Sequence, residues 1–504
     1  MALGLNLTGL SSGMPIPGIY VEVVFGAGSA AGDLSVKKVL LMAPSTGAGS
    51  IVQDTEVFGP ISGVDEAEAK GGSGSPLHRM AREFFRINKN TPVYLLAPTR
   101  SAGTAATLTV TVLGTAVGAG VVAVKICEES CEAAYVAGDS PTVIAAALAA
   151  SINQRTHLPV TATPTLGAVA MTAKVAGPEG NALRAVASFT AGSGANLSNT
   201  AETAFTGGAT AATYTAALAT IAGQDFDLIV PHTHSGTGSD PVLTALVNQV
   251  NSQALPTTGI RQKVLAGVSL APATSVTLAQ SINKPRLDIV NLEESPMEPW
   301  VLAAQMAAVQ ANTYFSNPAK NLAGYGGGPN DIFPVLAPRN KGTWFTKTEQ
   351  VIMLQGGVTP IAVGANGVPY IVRQITSYSL NGATPDYRVR DSHRVWVADW
   401  FADACLVKLA LSGYEKITED PPNDIQPPAN FATPKRVKSL IEIVISDGCD
   451  LGYLDFAKKA QAMAELAVGT DPLNPTRMNE RCPVYSANLM LQHGSLFAES
   501  SAAA

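Results

Sequence analysis

Charge is scarce in this sequence: Asp, Glu, Lys and Arg make up 14% of its 504 residues, against about 25% in an ordinary globular domain. The 33 basic and 39 acidic side chains leave a formal net charge of -6. Without a basic excess there is nothing to neutralise phosphates, so nucleic acid is excluded as a dedicated partner. Aromatic residues are also few, at 6%, and no run interleaves them with basic residues, which removes a stacking platform for single strands. Cysteine is sparse and odd in number (Cys127, Cys131, Cys405, Cys449, Cys482). That argues against a disulfide framework and for a reducing cytosol. Long apolar runs are missing too. The most apolar stretch, 141–150, is mostly alanine and too short to cross about 30 Å of hydrocarbon, so no direct membrane insertion is expected. The first residues have no positive region and contain Pro15 and Pro17, unlike a secretory signal. What is present is 46% hydrophobic residues, enough for a soluble chain to bury cores in about two to four domains.

Catalytic motifs are missing as well. No Gly-Lys pair occurs, so no P-loop can cradle a triphosphate. The run Gly324-Tyr325-Gly326-Gly327-Gly328-Pro329 follows a helical pattern and meets a proline, whereas a dinucleotide loop leaves a strand and opens a helix; it reads as a turn. Gly9-Leu10-Ser11-Ser12-Gly13 has the spelling of a nucleophile elbow without the strand and helix that chemistry requires. Cys127 and Cys131 stand four apart with no second ligand pair at zinc spacing. The sharpest enzymatic candidate is His232-Thr233-His234 after the strand-like run 226–230. A His-x-His at a strand's carboxyl end can deliver two imidazoles to one cation, as in a metal-dependent hydrolase; the bland reading is a polar loop at a sheet edge. No cofactor is implied.

Along the chain, Pro15, Pro17 and Gly18 precede the β-prone run Ile19, Tyr20, Val21, Glu22, Val23, Val24, an extended arm ending in a strand. A strand over 36–43, a helix from Ser75 with Leu77, Met80, Ala81, Phe84 and Phe85 on one face, and a strand over 92–96 follow. Between Ser101 and Tyr214 only ten charged residues occur and Ala, Thr, Gly and Val dominate. Alternating strands and one helix, capped by Ser140 and Pro141, predict an inserted β-rich module there, with 191–212 as its exit linker. From Tyr214 to Tyr314 helices and strands alternate, which predicts a parallel α/β layer. Beyond Asn317 the pattern predicts strands over 351–354, 359–363 and 370–377, and helices over 392–414, 434–446 and 454–468. A last β-prone run over 484–491 includes Val484, Tyr485, Leu489 and Leu491. Arg388, Arg390 and Arg394 lie beside Asp386 and Asp391, a partly self-paired cluster or a contact for an acidic partner.

Three stretches occur in order: Asn317-Pro318-Ala319-Lys320-Asn321-Leu322, then Glu349 through Leu354 to Gly357, then Arg373-Gln374-Ile375-Thr376-Ser377-Tyr378. In that order they resemble the tail sheath proteins of contractile-tailed bacteriophages, particularly the Mu-like branch. Ser377 stands where the family usually has a second Thr. The resemblance implies an α/β and α+β multidomain chain: an N-terminal arm (1–24), a discontinuous sheath domain (25–98 and 213–322), an inserted protruding domain (99–212), a C-terminal polymerisation domain (323–481) and a C-terminal arm (482–504). It implies a structural, non-enzymatic subunit of the virion tail, assembled in the host cytoplasm, with another tail structural component as the alternative. Such subunits stack as hexameric rings around a tail tube and contract to drive the tube through the host envelope. The implied partners are further copies of the chain, the tail tube protein, and baseplate and tail terminator proteins. The two arm runs would be donated to neighbours' sheets, because a lone strand carries unpaired backbone groups. Arg388, Arg390, Arg394, Lys458 and Lys459 would face an acidic tube.

Overall fold

The computed structural model describes residues 37–232, 236–422 and 425–491. The chain opens with β1 (Val39–Met42), β2 (Val57–Phe58), α1 (Val64–Gly71), α2 (Pro76–Ile87) and β3 (Val93–Leu96). Helix α2 starts where the Ser75 hydroxyl accepts the His78 N–H and Pro76 follows, because neither group asks for a helical donor. Then come β4 (Thr107–Leu113), β5 (Gly120–Ile126), β6 (Glu129–Tyr135), α3 (Pro141–Gln154), β7 (Val160–Thr165), β8 (Ala168–Ala173), β9 (Arg184–Phe189), β10 (Asn196–Leu197) and β11 (Thr203–Ala204). The α/β succession resumes with α4 (Thr215–Thr220), β12 (Leu228–Pro231), α5 (Pro241–Gln253), β13 (Lys263–Val268), α6 (Pro272–Ile282), β14 (Leu287–Asn291) and α7 (Pro299–Tyr314). It continues through α8 (Lys347–Gln355), β15 (Thr359–Val363) and β16 (Pro369–Ile371).

One eight-stranded sheet runs in the order β16-β15-β14-β13-β12-β1-β3-β2. Its six inner strands are parallel and the edges β2 and β16 antiparallel. Both faces are covered, so the inner strands read as unbroken apolar runs. Val39 and Leu41 pack with α2 and α7, while Leu40 and Met42 pack with α4, α5 and α6. Helix α7 is buried on nearly every side, which fits its lack of a polar face. The α/β layer expected from residue 214 onward is therefore part of a doubly wound sheet that also takes in β1 and β3.

The strands between β3 and α4 form two four-stranded antiparallel sheets, β10-β4-β8-β7 and β11-β9-β5-β6. Their inner faces and Ile144, Leu148 and Ile152 of α3 make one apolar cluster. The chain enters and leaves this module side by side, at the antiparallel bridge of Thr99 with Thr213. The stretch 191–212 is no linker. It supplies β10 and β11 and buries Ala195, Leu197 and Phe205, because small residues that suit a flexible chain also suit a tight sheet edge. Strand β9 had no expectation attached, since its Ala-rich alternation is weak.

Past β16 lie a β17 (Leu380–Asn381) and β18 (Thr384–Pro385) ribbon, α9 (Ser392–Leu411), a β19 (Lys416–Ile417) and β20 (Phe431–Ala432) pair, α10 (Pro434–Asp450), α11 (Lys459–Glu465) and the hairpin β21 (Ala467–Thr470) and β22 (Met478–Arg481). Three expectations change here. Residues 351–354 lie in α8, because Thr346 and Glu349 form a reciprocal capping box that starts a helix. The strand expected over 370–377 is limited to β16. The helix expected over 454–468 is short, and its last residues open β21.

Gly267 in β13 is needed for close approach: a Cβ there would lie 1.9 Å from the Pro299 carbonyl oxygen of α7. Gly267→Ala should force α7 off the sheet and lower stability by about 1–3 kcal/mol, read by thermal unfolding. An unchanged midpoint would refute the close-packing argument.

Candidate functional site

Parallel sheets offer two ends, and ligands of open α/β folds bind outside the carboxyl ends, where the strand order reverses. Here that point lies between β1 and β12, and His232 follows β12 directly. His232 is buried, its ring 4.1 Å from that of Trp300, and its carbonyl accepts the Tyr214 hydroxyl. Thr233 and His234 lie outside the described residues. Among the described residues the inserted module narrows the crevice: Pro159, Val175, Glu179 and Leu183 meet Arg79, His232, Glu298 and Trp300 around a cavity of about 20 Å³. That is room for about one water and no substrate. Among the described residues no group of three or more metal-ligating side chains gathers, and no helix is long and apolar enough to cross a membrane.

The module is seated by ions. Arg79, 1% exposed, donates to Glu298 of the body (2.5 and 2.8 Å) and to Glu128 of the module (3.1 and 2.9 Å). Arg82 reaches Glu128 and Glu129, Arg184 reaches Glu294, and Arg339 pairs with Glu202 and donates to the Cys127 carbonyl. Lys174 donates to the Ser73 carbonyl. Gly74, at φ 73°, lets the Leu158 carbonyl approach; a Cβ would lie 2.1 Å from it. Burial alone would push the Glu128 carboxyl up, but the Arg79 charge and hydrogen bonds hold it at about 2. Glu179, without such a partner, is pushed up by burial to about 7.

The amino end of the sheet carries a second ionic layer. Asp288, fully buried, accepts from Lys263 (2.9 and 3.0 Å), Gln310 (3.0 Å), Gln374 (3.0 Å) and Ser392 (2.6 Å). Arg286 and Asp399 form a two-point pair at 2.7 Å, and Arg261 pairs with Asp403. Ser392, Asp399 and Asp403 lie on one face of α9, which these contacts fix to the sheet. Burial pushes the Lys263 ammonium down against the opposing pull of Asp288. No spacing motif announced these residues, because they meet only through the fold.

The glycine-rich run is a turn whose Gly326 and Gly328 N–H groups bond to the Asp331 carboxylate (2.9 and 3.0 Å), so its donors are already occupied. Cys127 and Cys131 are buried thiols. Gly9 to Gly13 and the run Ile19, Tyr20, Val21, Glu22, Val23, Val24 lie outside the described residues. Of the basic residues, Arg388 is clasped by Asp386, Arg390 stacks on Tyr387, Arg394 donates to Asn488 and Lys459 to Ser446. Lys458 lies over the Tyr485 ring, so Tyr485 and Asn488 join two of these cations, Lys458 and Arg394, to one segment. That segment, which holds Val484, Tyr485, Leu489 and Leu491, is not a strand. Apart from one bridge, Leu454 with Ser486, it is held by side chains, because Pro483 and the buried Val484 turn it onto α10 before a ladder can start.

This layout is that of a multidomain α/β protein whose crevice, among the described residues, has little room. No family model matches the chain. The Mu-like prophage FluMu tail sheath protein of Haemophilus influenzae is 23% identical over 489 residues, covering 95% of this chain and 96% of that protein. The resemblance read from the C-terminal motifs thus extends over 95% of the chain. Among solved structures, the sheath tail protein of Listeria innocua gives a TM-score of 0.47 at 15% identity, covering 92% of this chain and 94% of that one. The sheath tail protein of Desulfitobacterium hafniense gives 0.45 at 14%, covering 93% and 100%. A chain of the anti-feeding prophage baseplate gives 0.47 at 12%, covering 97% and 100%.

Two outcomes follow for the seated module. Arg79→Met leaves two buried carboxylates facing each other and should cost about 3–5 kcal/mol, with faster proteolysis near Thr99 and Thr213; unchanged stability and cleavage would remove Arg79 from that role. The Glu128 contribution is present above about pH 4.5 and fades as pH falls toward 2, because its folded carboxyl titrates lower than a free one. Glu179 has the opposite sign: its raised carboxyl favours the fold below about pH 4.5 and loses that contribution as pH rises through 7. Glu179→Gln should therefore stabilise at pH 8 by up to about 3 kcal/mol and by much less at pH 5. Equal effects at both values would refute it.

Proposed function

We propose that this chain is the tail sheath subunit of a contractile phage or prophage-like tail, a structural protein and not an enzyme. The observation that carries this reading is the similarity to the FluMu sheath protein over 95% of the chain, joined to the small room, among the described residues, of the crevice where an enzyme of this fold class would bind substrate. In this reading copies of the chain stack as hexameric rings around a tail tube, meet baseplate and terminator proteins at the ends, and contract. The assembled protein belongs to the virion tail and is built in the host cytoplasm. The inserted module 99–212 is a protruding domain on a discontinuous body, and 323–481 carries the polymerisation contacts.

Both terminal runs serve as arms donated between copies. The hairpin β21 and β22 supports an acceptor role: among the described residues its strands pair only with each other, and a two-stranded ribbon is marginal unless strands or packing are added. A strand from a neighbour would complete it by main-chain hydrogen bonds. The cations Arg388, Arg390, Arg394, Lys458 and Lys459 are proposed to meet an acidic tube, although each has a partner within the chain that such a contact would have to displace.

Removal of residues 1–23 should leave a folded monomer by circular dichroism that forms no striated tubes by negative-stain microscopy. Long tubes from the truncated chain would overturn the arm assignment. Reversal of Arg388 and Lys458 to Glu should reduce cosedimentation with tail tube several-fold; intact tube-bound sheath would sink the tube-facing assignment.

A further inference from the structure

The segment 484–491 is too well held to be a free arm and too lightly held to be core. Val484 enters the apolar cluster of α9 and α10. Tyr485 accepts the Asp455 N–H (2.8 Å) and Ala487 donates to the Tyr453 carbonyl (3.0 Å). The Tyr485 hydroxyl bonds to Glu465 and Gln461, and the His393 ring contacts the Ala487 carbonyl at 3.3 Å. Arg394 donates to Asn488 at 2.7 Å. Beyond that residue the hold weakens: Met490 is 73% exposed, with one long bond from Asn321 to its carbonyl.

We infer that this is a latch: the unassembled subunit docks its own C-terminal run on the 453–455 turn and the start of α9, and so withholds it from neighbours. The inference rests on the sheath reading and adds its regulation. A segment tethered to its own docking surface sits there at an effective concentration of about millimolar, above that of any neighbour's arm in dilute solution. It therefore stays closed until a lattice holds neighbours as near. The two backbone bonds, which together make the single bridge of Leu454 with Ser486, are few enough to be exchanged for a ladder on another copy, so closing does not trap the chain. Arg394 and Lys458, both singled out as cations for an acidic partner, are contacts of the latch, and a partner that draws them away would also loosen it.

The test uses the full chain and the variants Arg394→Ala and Asn488→Ala, both polar residues near the surface whose loss spares the core. Amide exchange is measured on the monomer, and assembly is followed by light scattering with negative-stain microscopy. The Asp455 and Ala487 amides should be protected in the native chain and exchange about tenfold faster in either variant. The lag before assembly should shorten about as much. Unprotected amides in the native monomer overturn the docking. Faster exchange with an unchanged or longer lag overturns the inhibitory role. If no chain assembles under any condition, the sheath reading fails and the inhibitory role with it, while the exchange result still decides whether the latch closes.

Discussion

Asp288 is the group on which the placement of the C-terminal half depends. A carboxylate removed from water costs several kcal/mol, and this one is fully buried at the amino end of an inner strand of the parallel sheet. It is tolerated because Lys263 supplies the countercharge and Gln310, Gln374 and Ser392 all donate to its Oδ2. Those donors come from β13, from α7, from the segment after β16 and from the first turn of α9. Sheet, covering helix and C-terminal half are thus oriented by one set of hydrogen bonds, and the pairs Arg286 with Asp399 and Arg261 with Asp403 repeat the attachment along α9. Such an attachment is directional where apolar packing is not. It fixes the angle of α9, and therefore where α10 and the terminal hairpin emerge.

Legibility in the sequence followed the range of the forces involved. The starts of helices α5 and α7 are marked locally, by Asp240 with Pro241 and by Pro299. The parallel succession was legible from its period. Helix α8 was misread because Val351 to Leu354 look like a strand by composition, while the capping box that decides the matter begins five residues earlier. The stretch 191–212 was misread because Gly, Ser, Thr and Ala do not distinguish a flexible chain from a narrow strand; contact with Leu183 and Val112 does, and that contact is long-range. The Asp288 and Arg79 networks were invisible for the same reason, each joining residues from distant parts of the chain. His232 was legible as a candidate, but its burial against Trp300 was not.

The scarcity of charge also acquires a location. Of the ten charged residues between Ser101 and Tyr214, Glu128, Glu129, Lys174, Arg184 and Glu202 reach across to the body, and Glu179 lines the narrowed crevice. The module keeps most of its charge where it must hold one orientation; Lys125 and Glu132 are exposed on β5 and β6, whereas β4 and β7 carry no charge. There Thr107, Thr109, Thr161 and Thr163 alternate with buried or half-buried apolar residues. A neutral face on β4 and β7 and a charged seat are two sides of one distribution.

The bridge between Thr99 and Thr213 has a further meaning for the history of such a chain. Because entry and exit stand next to each other, the body's sheet has the same geometry whether that doorway leads to a hundred residues or to a tight turn. Whatever lies beyond it can be lost, lengthened or exchanged for an unrelated domain without altering the register of β1, β3 or β12. The body is in effect a socket, and a foreign domain whose own termini lie close together could be carried there in place of the native one.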